Sequence, residues 1–350
     1  MSRLIFVTGT PANLRQGSGT YAGIAALRQA LLAQGHEVTL VAPAQASPAA
    51  WRRLAFNLHL RGRRFPGAQV IGFDLDGLFL PGADVACLKG VLAEEAQFER
   101  GVARARLELL ARCEGWRARQ ARRVLVTSDY AAAAAIAHYG VIPARIQIFP
   151  ELLDLTAWRA GLDNARREPR AEPTILAVAH LYRRKDVATL LHALARVPAP
   201  ARLRVAGDGP ERRRLQRLAQ RLRLDGRVSF LGHIPQADLM SEYRNADVFC
   251  HPSRQEGFGI VLLEAMASGL PIVAARAAAI PEVVPEPDCG VLFPPGDATA
   301  LAAALTRLLA HAPARQAMGR SGRDWAQRYD APAVARSFLA AISEETEPRA

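Results

Sequence analysis

The stretch His251-Pro252-Ser253-Arg254-Gln255-Glu256-Gly257-Phe258-Gly259-Ile260-Val261-Leu262-Leu263-Glu264-Ala265-Met266-Ala267-Ser268-Gly269 reads as the end of a strand, a tight loop and a helix. The helix begins near Phe258 or Gly259, and the glycines let the backbone approach a ligand closely. The N–H groups of Phe258, Gly259, Ile260 and Val261 point out of the helix start, where the dipole favours anions. Such an opening suits a diphosphate. Glu256 and Glu264 lie eight residues apart, about two helical turns. A carboxylate beside a phosphate is repelled unless it faces hydroxyls, so both read as acceptors for sugar and ribose hydroxyls. The preference of acids for a helix N-terminus explains Glu264 poorly, because it lies past the first turn.

Outward from this stretch, strands and helices alternate. Strands are expected at Thr174–Ala179, Arg202–Ala206, Val228–Leu231, Asp247–His251 and Pro271–Ala275. Helices are expected at Val187–Ala195, Glu211–Leu222, Gln236–Tyr243 and Ile260–Ser268. The first half has the same rhythm. Its strands fall at Leu4–Thr8, Glu37–Ala42, Ala68–Phe73, Asp84–Leu88, Val124–Thr127 and Arg145–Phe149. Its helices fall at Tyr21–Gln34, closed by Gly35, then Glu94–Arg122 and Tyr130–Tyr139. Parallel strands need crossover helices, so the pattern implies doubly wound α/β sheets. The polar, proline-bearing Arg166–Pro173 reads as a linker. Two Rossmann-like domains facing a central cleft are the economical expectation, over residues 1–165 and 174–325. A helical tail, 326–350, is expected to pack back on the first domain.

Lys185 follows the strand Thr174–Ala179 in Arg183-Arg184-Lys185-Asp186. Cations there would neutralise a diphosphate as charge develops on it, each contact worth roughly 1.5–3 kcal/mol. A lone basic turn before a helix is usually just solvated. Its company with the Glu256–Glu264 string favours a site.

Together these residues resemble the C-terminal signature of GT-B retaining glycosyltransferases of the large family 4 group. The likeness extends over most of Thr174–Val284, through AHLYRRKD, VAGDGP, FLGHIP and PEVV. It implies a nucleotide-sugar donor, an EX7E motif at Glu256 and Glu264, and no metal or other cofactor. By resemblance Glu256 contacts the transferred sugar, Glu264 the ribose, and Lys185 with Arg184 the diphosphate. Gly207 and the His233-Ile234 loop fall on the donor side. The family often has Arg five residues before the Lys and Gly after it; here those positions hold His180 and Asp186. Whether Arg183, Arg184 or His180 partners Lys185 is left open.

In the first half, Gly17-Ser18-Gly19 and Gly23 form a glycine pattern opening a helix. It lies too far from the strand for a dinucleotide fingerprint, and the next strand lacks the ribose-binding acid. A loop touching donor phosphate or acceptor suits it better. Lys89 sits at the carboxyl end of the strand Asp84–Leu88, where open sheets bind ligands. Many family members carry a His near there, so Lys89 is assigned to the acceptor or sugar side. Asp74-Leu75-Asp76 matches a DxD metal motif only in letters and reads as a loop acid pair. The Trp51–Phe65 segment interleaves five arginines with bulky apolar groups. It reads either as an interfacial segment near anionic lipid or as a half-buried basic helix.

The 350 residues carry a formal net charge of +12, half of them are apolar, and only Lys89 and Lys185 among the 45 basic residues are lysine. This excludes intrinsic disorder, while the Arg-for-Lys bias makes total charge a poor guide to partners. No apolar run approaches the roughly 18–20 residues of a membrane span. The N-terminus reads as a strand rather than a signal peptide, and the four scattered cysteines suit a reduced, cytoplasmic setting. The expectation is a retaining transferase moving a sugar from a UDP- or GDP-sugar to a hydroxyl-bearing glycan, lipid or small molecule. Cell-envelope glycan, lipopolysaccharide or glycolipid synthesis fits it, with peripheral association at the inner face of the membrane open and no nucleic acid. The alternatives are a nucleotide-sugar epimerase of the same fold, or a non-catalytic protein binding polyanions or membranes.

Overall fold

The computed structural model describes residues 2–10, 19–43, 50–166, 168, 172–198 and 200–343. The chain divides into two compact units, Met1–Leu152 with Tyr329–Ala350, and Leu153–Arg328. Strands in the first unit are β1 (Arg3–Val7), β2 (Glu37–Val41), β3 (Gln69–Phe73), β4 (Val85–Leu88), β5 (Arg123–Val126) and β6 (Ile146–Ile148). They form one parallel sheet in the order β2-β1-β3-β4-β5-β6. The second unit holds β7 (Thr174–Val178), β8 (Arg202–Ala206), β9 (Val228–Gly232), β10 (Val248–His251), β11 (Ile272–Ala275) and β12 (Gly290–Phe293). Its parallel order is β12-β11-β10-β7-β8-β9.

Both faces of these sheets are covered by helices, which is why the central strands are almost continuously apolar and buried. Each sheet grows outward in both directions from one point. In the second unit that point lies between β7 and β10; in the first, between β1 and β3. Loops beyond the carboxyl ends of the strands diverge there and leave room for a ligand.

The structure corrects several expectations. The boundary falls at Leu152–Leu153, not within Arg166–Pro173. The reason is the helix Leu155–Asn164, whose Trp158 is buried edge-on to Tyr243 at 5.4 Å in the second unit. The tail of the first unit begins at Tyr329 rather than 326. Its helix Ala331–Ser343 sets Phe338 against Phe6 and Phe149, at ring separations of 6.0 and 5.1 Å. Glu94–Arg122 is not one helix but two, Leu92–Ala96 and Gly101–Gln120. Arg100 is extended and Gly101 left-handed, with φ 56°, so the chain turns between them. The short strand β12 has no counterpart in the sequence reading.

The acids Asp74 and Asp76 form a structural network at the first unit's β1/β3 divergence. Asp76 accepts from the Gly9 N–H at 2.5 Å, from Arg53 at 2.8 Å and from Asn57 at 2.9 Å. Asp74 accepts from Arg53 at 3.3 Å and from the Lys89 N–H at 3.0 Å. Arg53 and Asn57 project from the helix Ala50–His59, so part of the Trp51–Phe65 segment is committed to the interior. Trp51 and Leu58 of that helix are exposed. No helix among the described residues is long and apolar enough to cross a membrane.

Behind this network Glu114 is buried on the helix Gly101–Gln120. One carboxyl oxygen accepts from the Leu92 N–H and the Tyr139 hydroxyl; the other has no partner among the described residues. Burial, reinforced by the charge of Asp74, pushes its pKa up to about 8. Between pH 4.5 and 8 the unfolded chain ionises this group while the folded chain retains the proton. Stability is therefore lost as pH rises through that window. Glu114→Gln is expected to flatten the dependence, so that denaturant unfolding favours the variant more at pH 8 than at pH 5.

Candidate active site

The second unit brings Lys185, Glu256 and His251 together because β7 and β10 are neighbours in the sheet. Lys185 ends the short 3-10 turn Arg183–Lys185 beyond β7, and Glu256 lies in the loop beyond β10. The two loops are stitched by the Arg254 N–H donating to the Arg184 carbonyl at 2.7 Å. The Ser253 hydroxyl donates to the same carbonyl at 3.3 Å. Lys185 Nζ and His251 Nε2 both meet Glu256 Oε1, the second at 2.7 Å.

Glu256 is 7% exposed. Burial alone would raise its pKa, but Lys185, then His251, with their hydrogen bonds, override that and hold the carboxyl well below the usual range. Its pairing with Lys185 is buried and hydrogen-bonded, not a solvated surface contact.

Asp186, where the family pattern has Gly, is left-handed with φ 46°, a conformation that Asp tolerates better than most side chains. Its carboxylate accepts from Thr189 at 2.8 Å and from Arg254 Nε at 2.7 Å. The turn carrying Lys185 is thereby fixed without a glycine. Arg183 is drawn away, 3.7 Å from Glu211, whereas Arg184 lies over the Tyr182 ring at 5.1 Å. His180 packs 6.1 Å from the same ring.

The helix Ile260–Ala267 starts after Gly259, left-handed with φ 94°. The Ile260 and Val261 N–H groups lie in the first turn, beyond any intrahelical acceptor. Gly257 is partly exposed and Phe258 is 4% exposed. The open end of the helix is therefore narrower than the Phe258–Val261 run expected from sequence. Glu264, further along, accepts from the Tyr243 hydroxyl at 2.7 Å. Burial pushes its pKa up to about 7, with the Tyr243 hydrogen bond pulling the other way.

Gly207, beyond β8, is tied to the loop beyond β9: its N–H donates to the Gly232 carbonyl at 2.7 Å. A Cβ on Gly207 would stand 2.0 Å from the Ala179 carbonyl oxygen, and φ is +123°. Glycine is therefore required here by the close approach of two backbones. His233 is exposed and Ile234 half-buried in the loop that Gly207 braces.

In the first unit, Gly17 lies outside the described residues, and Gly19 is an exposed first residue of the helix Gly19–Ala33. Lys89 is turned inward. Its side chain is 2% exposed, with Nζ 2.9 Å from Glu151 and 5.3 Å from the Phe149 ring centre. This burial corrects its assignment to the acceptor or sugar side, because the amine is spent on an internal ion pair. Sequence reasoning missed Tyr243, Glu151 and the contact of His251 with Glu256. Only the alternation of Phe249 and His251 along β10, which puts both on one face, hinted at the last.

Residues 162–325 match the family of glycosyl transferases group 1. The chain is 33% identical over 241 residues to a D-inositol 3-phosphate glycosyltransferase of Corynebacterium kroppenstedtii, covering 64% of this chain and 53% of that protein. It is 32% identical over 194 residues to the sulfoquinovosyl transferase SQD2 of Arabidopsis thaliana, covering 50% and 37%. The chain thus spans about half the length, or less, of these curated relatives. Among solved structures, sucrose-phosphate synthase of Thermosynechococcus elongatus superimposes with a TM-score of 0.80 at 24% identity, covering 98% of each chain. WaaG, a glycosyltransferase involved in lipopolysaccharide biosynthesis, does so with 0.75 at 21%, covering 98% of this chain and 100% of WaaG. The fold is that of the GT-B glycosyltransferases.

Proposed function

We propose that this chain, whose residues 162–325 match the glycosyl transferases group 1 family, is a retaining transferase that moves a sugar from a nucleoside diphosphate donor to a hydroxyl acceptor. The observation that carries this reading is Glu256, kept ionised between Lys185 and His251 beside the open end of the helix Ile260–Ala267. Positive charge for a diphosphate comes from Lys185, Arg184 and the first-turn N–H groups. Glu256 Oε2 accepts a hydroxyl of the transferred sugar, and Glu264 accepts from the ribose.

In the reaction the bond from the sugar's anomeric carbon to the phosphate oxygen breaks, and a bond to the acceptor oxygen forms on the same face. The acceptor's proton passes to the departing phosphate oxygen. Lys185 acts on the charge that grows there, so its effect is larger in the transition state than in the bound donor. The role of a metal in neutralising the diphosphate is thereby taken by the protein. The acceptor is a glycan, lipid or small molecule with a free hydroxyl, and the setting we propose is the cytoplasm or the inner membrane surface. Similarity to a solved structure described in complex with UDP-glucose supports a nucleotide-sugar donor.

The experiment is a thermal-shift panel of UDP-, GDP- and ADP-sugars on the full chain, then mass spectrometry of products with hydroxyl acceptors. Lys185→Ala is expected to lower turnover by about 100-fold or more, the size of losing one charge stabiliser, and wild-type transfer to persist in excess EDTA. An isomerised donor formed without acceptor would overturn the reading, as would near-normal turnover in Lys185→Ala.

A further inference from the structure

We propose that Tyr243 is the positioning residue of this site: its hydroxyl holds one oxygen of Glu264 so that the other faces a ligand hydroxyl in a single orientation. The inference rests on the donor reading above for the identity of that ligand, a nucleoside diphosphate presenting its ribose. Tyr243 is fully buried on the helix Gln236–Asn245. Among the described residues it is the one hydrogen-bond partner of the Glu264 carboxyl, at 2.7 Å from Oε2. The Glu264 backbone is held as well. Its carbonyl accepts from the Ser268 hydroxyl at 2.7 Å, and that hydroxyl accepts from Trp158 Nε1 at 3.1 Å.

The ring of Tyr243 is fixed by its neighbours. Trp158 meets it edge-on at 5.4 Å, and Phe249 stacks on it at 5.8 Å with 26° between planes. Phe249 in turn stacks on His251 at 6.2 Å and 11°. Phe249 and His251 share a face of β10 because alternate strand residues point the same way. One run of rings therefore ends in hydrogen bonds to both candidate carboxylates, Glu264 through Tyr243 and Glu256 through His251. A glutamate otherwise loses rotamer freedom when it binds a ligand; here that ordering is already done.

The consequence is legible in titration. Burial drives Glu264 towards the neutral acid near pH 7, and the Tyr243 hydroxyl opposes it by bonding to the carboxylate. Other charged groups on packed elements are placed elsewhere: Arg323 of the helix Ala312–Ala326 lies against Gly269, and Glu256 is paired with Lys185 and His251. The helix Leu155–Asn164 packs Trp158 inward, which does not titrate, while its Arg159 and Asp163 are exposed. Only the ionised form of Glu264 accepts from a hydroxyl with both oxygens, so nucleotide affinity should rise with pH through about 7. Tyr243→Phe keeps the ring stack and removes the hydroxyl, so the midpoint should move up.

The test has two arms on the full chain. In the ligand-free protein, the Glu264 side-chain carbon is titrated by NMR in wild type and Tyr243→Phe, with Glu264→Gln to assign the signal. UDP and GDP are then titrated calorimetrically from pH 6 to 9. The expected result is a higher Glu264 midpoint in Tyr243→Phe. Affinity should be lowered about fivefold at pH 7, since a one-unit shift from about 7 takes the ionised fraction from about one half to about one eleventh, and should recover towards wild type at pH 9. An unchanged midpoint overturns the proposal, whatever happens to binding. Wild-type affinity that is flat between pH 6 and 8 also overturns it, with no variant needed. A shifted midpoint in a protein that binds neither nucleotide at any pH supports the hold of Tyr243 on Glu264 and overturns the donor reading instead.

Discussion

Replacing Glu256 with glutamine is expected to reduce sugar transfer by about 100- to 1000-fold, the cost of deleting one aligned electrostatic group at a reacting centre. The substitution preserves size and one acceptor oxygen but removes the charge that Lys185 and His251 converge on. Two effects then act together. A neutral amide accepts more weakly from the donor sugar's hydroxyl, and Lys185 loses the partner that fixes its amine. Removing one member of a buried pair costs about 3–5 kcal/mol of stability when nothing replaces it, so Gln is the better probe than Ala. Kinetics should be read beside thermal unfolding. Because Glu256 lies well below the usual carboxylate range, its own titration should be invisible in a rate profile between pH 5 and 9. Glu264, by contrast, is expected to contribute an ionisation near pH 7. Turnover of the glutamine variant within about threefold of wild type, at equal stability, would remove Glu256 from the site.

The second large effect lies in the first unit and concerns stability. Arg53→Met should destabilise that unit by about 3–5 kcal/mol, the typical result of leaving buried charge unpaired. Arg53 serves two carboxylates at once, and the side chain of Asp76 is wholly buried. Asp74 is raised by burial and held back chiefly by Arg53, so the variant leaves it to take up a proton more readily. The loss should accordingly shrink as pH falls, because the variant's Asp74 takes up a proton and relieves the repulsion. Denaturant unfolding of wild type and variant at pH 5 and 7.5 tests this. A variant as stable as wild type at pH 7.5 would show that the pair is dispensable. Asp76 also receives the Gly9 N–H just after β1, so this network pins the chain at the sheet's point of divergence.

In the second unit, local signals sufficed to place the candidate residues on the chain's elements. Glu256, Lys185 and Gly259 fall where the string implied, since each lies within a few residues of a strand end or helix start whose signals are local. His180, Arg183 and Arg184 were harder to rank. Their order depends on where Glu211 and Tyr182 sit, and the structure turns Arg183 outward and Arg184 over a ring. Lys89 was placed at the right strand end and given the wrong outlook. Its partner Glu151 is 62 positions away, and no local pattern links the two.

By itself, then, the sequence determined the alternation of strands and helices, the two-unit plan and the residue types at one phosphate-like opening. These rest on periodicity, turn residues and helix starts, all read over short stretches. Only the tertiary structure decided which charges meet. Strand order brings Lys185 to Glu256 across 71 positions and Tyr243 to Glu264 across 21. It folds Arg53 onto Asp74 and Asp76, and gives the helix Leu155–Asn164 to the second unit. Burial then changes what those groups are: it pushes Glu264 up to about 7 with only the Tyr243 hydroxyl opposing, whereas at Glu256 the contacts with Lys185 and His251 override it and hold the carboxyl well below the usual range.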